Sequence, residues 1–149
     1  MSDETSIEMD EQTRDELLDV GGTGVISLST KKSESPHSIP VSYGYDPATE
    51  TFYFRLAADS DSEKGKMTDR RVTFVMYTEE DEQWHSIVAQ GKLEPTGDEE
   101  IATETLEGLE RVDIPYVDIF GKPLSDVSFR FYRLVPETFT GRKEQPTRL

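Results

Sequence analysis

The stretch Arg71-Val72-Thr73-Phe74-Val75-Met76-Tyr77-Thr78, followed after an acidic turn by Trp84-His85-Ser86-Ile87-Val88-Ala89-Gln90-Gly91, decides the class of fold. Both segments are rich in β-branched and aromatic residues, and Glu79-Glu80-Asp81-Glu82 separates them, so they read as two strands joined by a turn. The first strand (Arg71–Thr78) is apolar on both faces, with Val72, Phe74 and Met76 alternating with Val75 and Tyr77. A one-layer sheet with a wet exterior keeps one face polar, so the second apolar face predicts contact with another subunit. The partner strand runs on to Leu93. Gly91 within it marks a bulge, or the close approach of another backbone or a ligand.

Upstream, the same period of two recurs at Gly24–Thr30, Ser38–Tyr45 and Thr51–Ala58. Pro40 gives the middle one an edge or a bulge, because proline has no N–H for a ladder. Asp46-Pro47-Ala48-Thr49-Glu50 is a turn that makes a hairpin of the last two. Downstream, Asp126–Val135 is a sixth strand. Two helices are predicted outside this set. Asp10–Val20 carries Leu17, Leu18 and Val20 on its apolar side and is stopped by Gly21-Gly22. Gly97–Leu109 carries Ile101, Leu106 and Leu109. The fold expected is mainly β: a six-stranded antiparallel barrel with a few short peripheral helices. One domain spans 10–143, between an acidic tail (1–9) and a polar tail (144–149).

The composition narrows the function. The chain has 149 residues, about one domain, and no cysteine, which excludes a thiolate nucleophile and any cysteine-based metal site. His37 and His85 are its two histidines, neither placed for a catalytic triad, and no metal site is expected. Thirty-one acidic residues against sixteen Lys and Arg give a net charge of −15. Such a surface repels nucleic acid and anionic membrane, which need positive patches, and it resembles the composition of cytoplasmic proteins from salt-loving archaea. Carboxylates so abundant carry no catalytic signal. No apolar run reaches the roughly 20 residues of a membrane span, and the acidic N-terminus is unlike a signal peptide. The expectation is a soluble, cytoplasmic protein.

Against that background, Lys64, Lys66, Arg70 and Arg71 fall between residues 63 and 71, with Arg55 just before. Ser62-Glu63-Lys64 places a hydroxyl and an ammonium two residues apart, in a polar segment with one helical turn around 63–68. That is suited to a phosphate; the alternative is a solvated turn whose lysines pair with neighbouring acids. Trp84, the only tryptophan, either lines a site or caps the barrel core.

In order and spacing, five segments resemble the pyridoxamine 5′-phosphate oxidase-related proteins, the FMN-binding split barrels. They are Ile39-Pro40-Val41-Ser42-Tyr43-Gly44-Tyr45-Asp46, Phe52-Tyr53-Phe54-Arg55-Leu56-Ala57, Ser62-Glu63-Lys64, Arg71-Val72-Thr73-Phe74-Val75 and Trp84 to Gly91. The resemblance implies a homodimer with two FMN molecules in clefts at the subunit interface. It implies Arg55, Leu56 and Ala57 against the isoalloxazine ring or phosphate, and Ser62 and Lys64 on the phosphate. Tyr77 and Trp84 to Ser86 would close the cleft, partly from the other subunit. It gives no direction to Arg70, Arg71 or Arg133. The chain is shorter than the oxidases that make pyridoxal phosphate and lacks their arginine- and histidine-bearing motif near the C-terminus. It is therefore closer to the flavin reductase and nitroreductase-like members. The resemblance implies an FMN-dependent oxidoreductase passing hydride between a small-molecule electron donor and acceptor, with the flavin carrying the chemistry and no catalytic side chain assigned. A deazaflavin coenzyme in place of FMN is the first alternative. A non-catalytic barrel that stores flavin or binds a partner is the second.

Overall fold

Ile26 and Leu28, Tyr43 and Tyr45, Phe52 and Phe54, Phe74 and Met76, Ile87 and Ala89 are pairs spaced by two, and all ten side chains are buried. Side chains alternate across a strand, so each pair turns the same face of its strand inward. The computed structural model describes residues 6–19, 21–30, 33–58, 69–111 and 128–144. Its elements are β1 (Ser6–Glu8), α1 (Glu11–Leu18), β2 (Gly21–Leu28), β3 (His37–Asp46), β4 (Thr51–Ala58) and β5 (Arg71–Glu80), then β6 (Gln83–Thr96), a 3-10 turn (Asp98–Glu100), α2 (Thr103–Arg111), β7 (Ser128–Leu134) and β8 (Thr138–Glu144).

All pairings between these strands are antiparallel. The circuit β6-β5-β2-β3-β4-β7 returns to β6 and closes a barrel, while β8 and then β1 extend the sheet from the other edge of β6. One strand serves both purposes because it changes partner along its length. β6 pairs with β8 from His85 to Gln90 and with β7 from Leu93 to Thr96. Gly91 sits at the change. A Cβ there would lie 3.0 Å from Leu134 Cδ1 and 3.1 Å from the Val135 carbonyl oxygen, so the expected close approach is that of the backbone after β7.

The barrel is split on one side. β3 and β4 pair only from Asp46 opposite Thr51 to Tyr43 opposite Phe54. Beyond that point, among the described residues, the first half of β3 pairs with β2 alone, and the last half of β4 with β7 alone. Pro40 lies in this one-sided part of β3, which agrees with the edge reading.

The interior is mainly aromatic. Phe74 meets Tyr43, Phe52 and Phe54 with ring centroids 5.1 to 5.2 Å apart. Such tilted contacts add about 0.5–1.5 kcal/mol each beyond area burial. α1 closes one end. Asp10 caps it by accepting the Thr13 N–H at 2.7 Å, and Leu18 is fully buried. Arg14 donates to Glu50 at 2.8 Å with its guanidinium 4.0 Å from the centroid of Phe139. α2 lies on the outer face of β2, β3 and β4, where Ile101 and Leu109 cluster with Tyr53. Among the described residues no helix is long and apolar enough to cross a membrane.

Four details differ from the sequence expectation. The helix stop is Asp19, at φ 52° with its N–H on the Asp15 carbonyl. Gly21 and Gly22 instead open β2, where a Cβ on Gly21 would stand 2.4 Å from the Tyr43 carbonyl oxygen and 2.8 Å from Gly108. The stretch 97–109 divides into the 3-10 turn and α2, with Ile101 between them. Strand β8 was not foreseen, since Phe139 is its one large apolar residue and it is held by backbone pairing to β6. Residues 6–8, expected within the tail, pair with Arg142 to Glu144 as β1, a strand too short to show a period.

Candidate cofactor site

The outer face of β5 and β6 is built by register. Tyr77 stands directly opposite Ser86, and Glu79 opposite Trp84. Phe74, Met76, Ile87 and Ala89 turn inward, so Tyr77, Trp84 and Ser86 turn outward together. Tyr77 is 66% and Trp84 50% exposed, and their ring centroids are 6.0 Å apart. Trp84 therefore does not cap the core. His85 takes the inward position, with Nδ1 3.1 Å from the Gln83 carbonyl oxygen, where Nδ1–H donates.

Further along the same face, two cross-strand rows hold no charged residue. One is Ser38, Ser27, Thr73, Gln90 and Thr138; the other is Pro40, Val25, Val75, Val88 and Thr140. Thr138 donates to Gln90 Oε1 at 3.0 Å, and Gln90 Nε2 donates to Thr73 at 3.2 Å, so the polar row is largely self-satisfied. In a chain of net charge −15, a sheet face of five strands without a carboxylate in either row is the clearest departure from the general surface. α2 meets β2 and β3 at Gly21 and Gly44, away from the residues of these two rows.

A second group forms on β4. Arg55 points outward and is exposed, opposite Phe131 of β7. Leu56 points inward at 2% exposure, so that residue offers a site its main chain only. Ala57 pairs with Phe129 in the same ladder. Past Phe54 this edge of β4 has no partner strand among the described residues. Ser62 and Lys64 lie outside the described residues. The described residues flanking them, Ala58 and Asp69, lie at the end of the barrel where β4 finishes and β5 begins. Three arginines gather at that end. Arg70 Nε donates to the Ser29 carbonyl at 2.7 Å, and its partial burial lowers its pKa below the usual arginine value. Arg71 meets Glu137 at 3.2 Å, and Arg130 stands opposite Leu56 at the barrel mouth. Arg133 is paired with Glu94 at 2.9 Å. The opposite end carries Glu79, Glu80, Asp81 and Glu82 in one hairpin.

One barrel does not unite the two groups. β4 is separated from β5 by β2 and β3, and from β6 by β7. The uncharged rows escaped the sequence reading; the double-faced apolar pattern of β5 was the one available signal for them.

The sequence model of the family described as pyridoxamine 5′-phosphate oxidase matches residues 10–143. The chain belongs to that family. Solved structures share its fold. A Corynebacterium glutamicum protein named as a candidate pyridoxamine 5′-phosphate oxidase superposes with a TM-score of 0.61 at 17% identity, over 100% of both chains. An FAD-binding protein of Mycobacterium smegmatis gives 0.60 at 17%, over 92% of this chain and 98% of that one. An FAD-binding protein of Mesorhizobium loti gives 0.60 at 15%, over 95% and 98%. At these identities the likeness is one of fold. No curated protein matches the chain. Membership in the oxidase family agrees with the split between β3 and β4 and with the element order on which the resemblance rested.

Proposed function

We propose that the chain is a flavin-binding oxidoreductase, FMN-dependent, that acts as a homodimer on small-molecule electron donors and acceptors. The observation that carries this reading is the division of the candidate site between opposite walls of one barrel. Tyr77, Trp84 and Ser86 on the β5–β6 face and Arg55 on β4 are two half-sites, and a two-fold pair of barrels joins the half-site of one protomer to that of its partner. The uncharged rows beside Tyr77 and Ser86 supply a face for that pairing, since like-charged surfaces elsewhere on the chain repel a second copy.

The residues present fit a flavin phosphate. Arg55 on β4, with Arg70 and Arg130 at the same end of the barrel, puts cations near Ala58 and Asp69, the described residues that flank Ser62 and Lys64 in the sequence. A phosphate of two negative charges gains most from charge-assisted donors of this kind. Within the site, Arg55, Ser62 and Lys64 bind and orient the phosphate, and Tyr77 and Trp84 shield the ring end from water. A bound flavin supplies the hydride chemistry itself. A second reading replaces FMN by FAD, and the two structural neighbours named as FAD-binding favour it.

Titration with FMN and with FAD tests this in the parent and in Lys64→Ala and Arg55→Ala. Each variant is expected to weaken binding about 10-fold or more, as loss of a charge-assisted bond of about 1.5–3 kcal/mol implies. Equal affinities in parent and variants would overturn the phosphate assignment. Tighter retention of FAD than of FMN would select the second reading.

A further inference from the structure

The aromatic rings of the core pack against one another, but Tyr77 and Trp84 pack as a pair on the outside, at the acidic end of the β5–β6 hairpin. Their planes meet at 49°, and both side chains stay at least half exposed. Two acidic residues neighbour Trp84 in the sheet. Glu144 Oε1 accepts the main-chain N–H of Trp84 at 3.2 Å, which holds it there, and Glu79 stands directly opposite Trp84 on the neighbouring strand. Lys143 stands opposite His85 in the inward row, and Arg142 stands across from Ser86 in the outward row that also holds Tyr77. The faces of aromatic rings are negative and attract cations, Trp most strongly. Ring faces and carboxylates thus favour one ligand class, and the same carboxylates oppose any phosphate at this end.

We propose that Tyr77 and Trp84, with Glu79 and Glu144, form a docking platform for a planar aromatic cation. In the reading given above, such a cation is a substrate presented to the ring end of the flavin; binding itself needs no flavin. Charge complementarity selects the occupant. A neutral aromatic keeps the stacking but loses the carboxylates, and an aromatic anion is repelled by them.

Three compounds of one shape test this on the purified full chain: 1-methylnicotinamide (cation), nicotinamide (neutral) and nicotinate (anion). Trp84 is the only tryptophan, so its emission reports the platform directly, and titration calorimetry provides an independent readout. The expected result is saturable binding of 1-methylnicotinamide, one per protomer, about tenfold tighter than nicotinamide, with no binding of nicotinate. Tyr77→Ala and Glu79→Gln, both at exposed positions, are each expected to weaken the cation several-fold. A linear, non-saturating quench, equal affinity for cation and neutral compound, or indifference to Tyr77→Ala would overturn the platform. Saturation in a protein that binds no flavin would leave the platform standing and remove the flavin reading; the reverse pattern would do the opposite.

Discussion

The ring of Phe74 rests against the bare backbone of Gly24, so closely that a Cβ built on Gly24 would lie 2.7 Å from two of its ring carbons. The same Cβ would stand 2.6 Å from the Val75 carbonyl oxygen, which belongs to the β2–β5 ladder and has little room to move. Gly24 is thus the position at which the aromatic interior and the barrel wall meet without a side chain between them.

Gly24→Ala is therefore expected to overpack the interior and destabilise the protein by about 1–3 kcal/mol, the usual cost of an added methyl in a filled core. Urea unfolding of parent and variant measures it. An unchanged midpoint would show that β2 shifts freely relative to β5.

Arg14 ties three elements together, with Glu50 from the β3–β4 turn at 2.8 Å, Asp15 at 3.1 Å and the ring of Phe139 in β8 beneath its guanidinium. Its side chain is 12% exposed. Arg14→Ala is expected to loosen α1 from the barrel end and cost about 1–2 kcal/mol, through lost packing as much as lost charge. Hydrogen exchange over residues 11–18 should rise well before the barrel strands exchange.

The bond from Arg14 holds the Glu50 carboxyl below its usual pKa, and the Thr13 N–H does the same for Asp10. A carboxylate whose folded pKa is depressed contributes stability that is present above the unfolded pKa and lost as pH falls through the folded value. That contribution should therefore disappear below about pH 4, the ordinary carboxylate range. Acidification also relieves the repulsion of the −15 charge, so the informative quantity is the difference between proteins. Melting temperatures of parent and Glu50→Gln should differ at pH 7 and converge at pH 3. A constant difference across that range would contradict the assignment.

The shared-site geometry predicts complementation. Homodimers of Arg55→Ala, and of Trp84→Ala, should each bind flavin weakly at both sites. In a mixed population half of the dimers are heterodimers, each with one unaltered site, so about a quarter of the sites should regain parental affinity. Recovery of none, after subunit exchange has been verified, would place Arg55 and Trp84 in separate sites.

The barrel was legible in the sequence because its strands keep a strict period of two around large apolar residues, from Ile26 to Leu134. The edge strands were not. β1 is three residues long, and β8 alternates threonine, glycine and charge around Phe139, so neither carries an apolar period of two in its sequence. Gly21 was misread for a related reason: a glycine after a helix suggests a cap, and only the packing of Gly108 against it shows the other use. Of the candidate site, the outward set Tyr77, Trp84 and Ser86 followed from register. Leu56 did not, since its neighbourhood in sequence says nothing of which face it takes until β4 is set against β7. The uncharged rows were illegible because each row collects residues from five strands that are distant in sequence.

Whether this barrel holds a flavin is read from the absorption spectrum of the protein as purified. The expected result is a yellow protein with the two flavin bands of the near ultraviolet and the blue, in a ratio of one flavin per protomer. A protein that stays colourless after incubation with FMN and FAD, or one that shows blue-green deazaflavin emission instead, would contradict it.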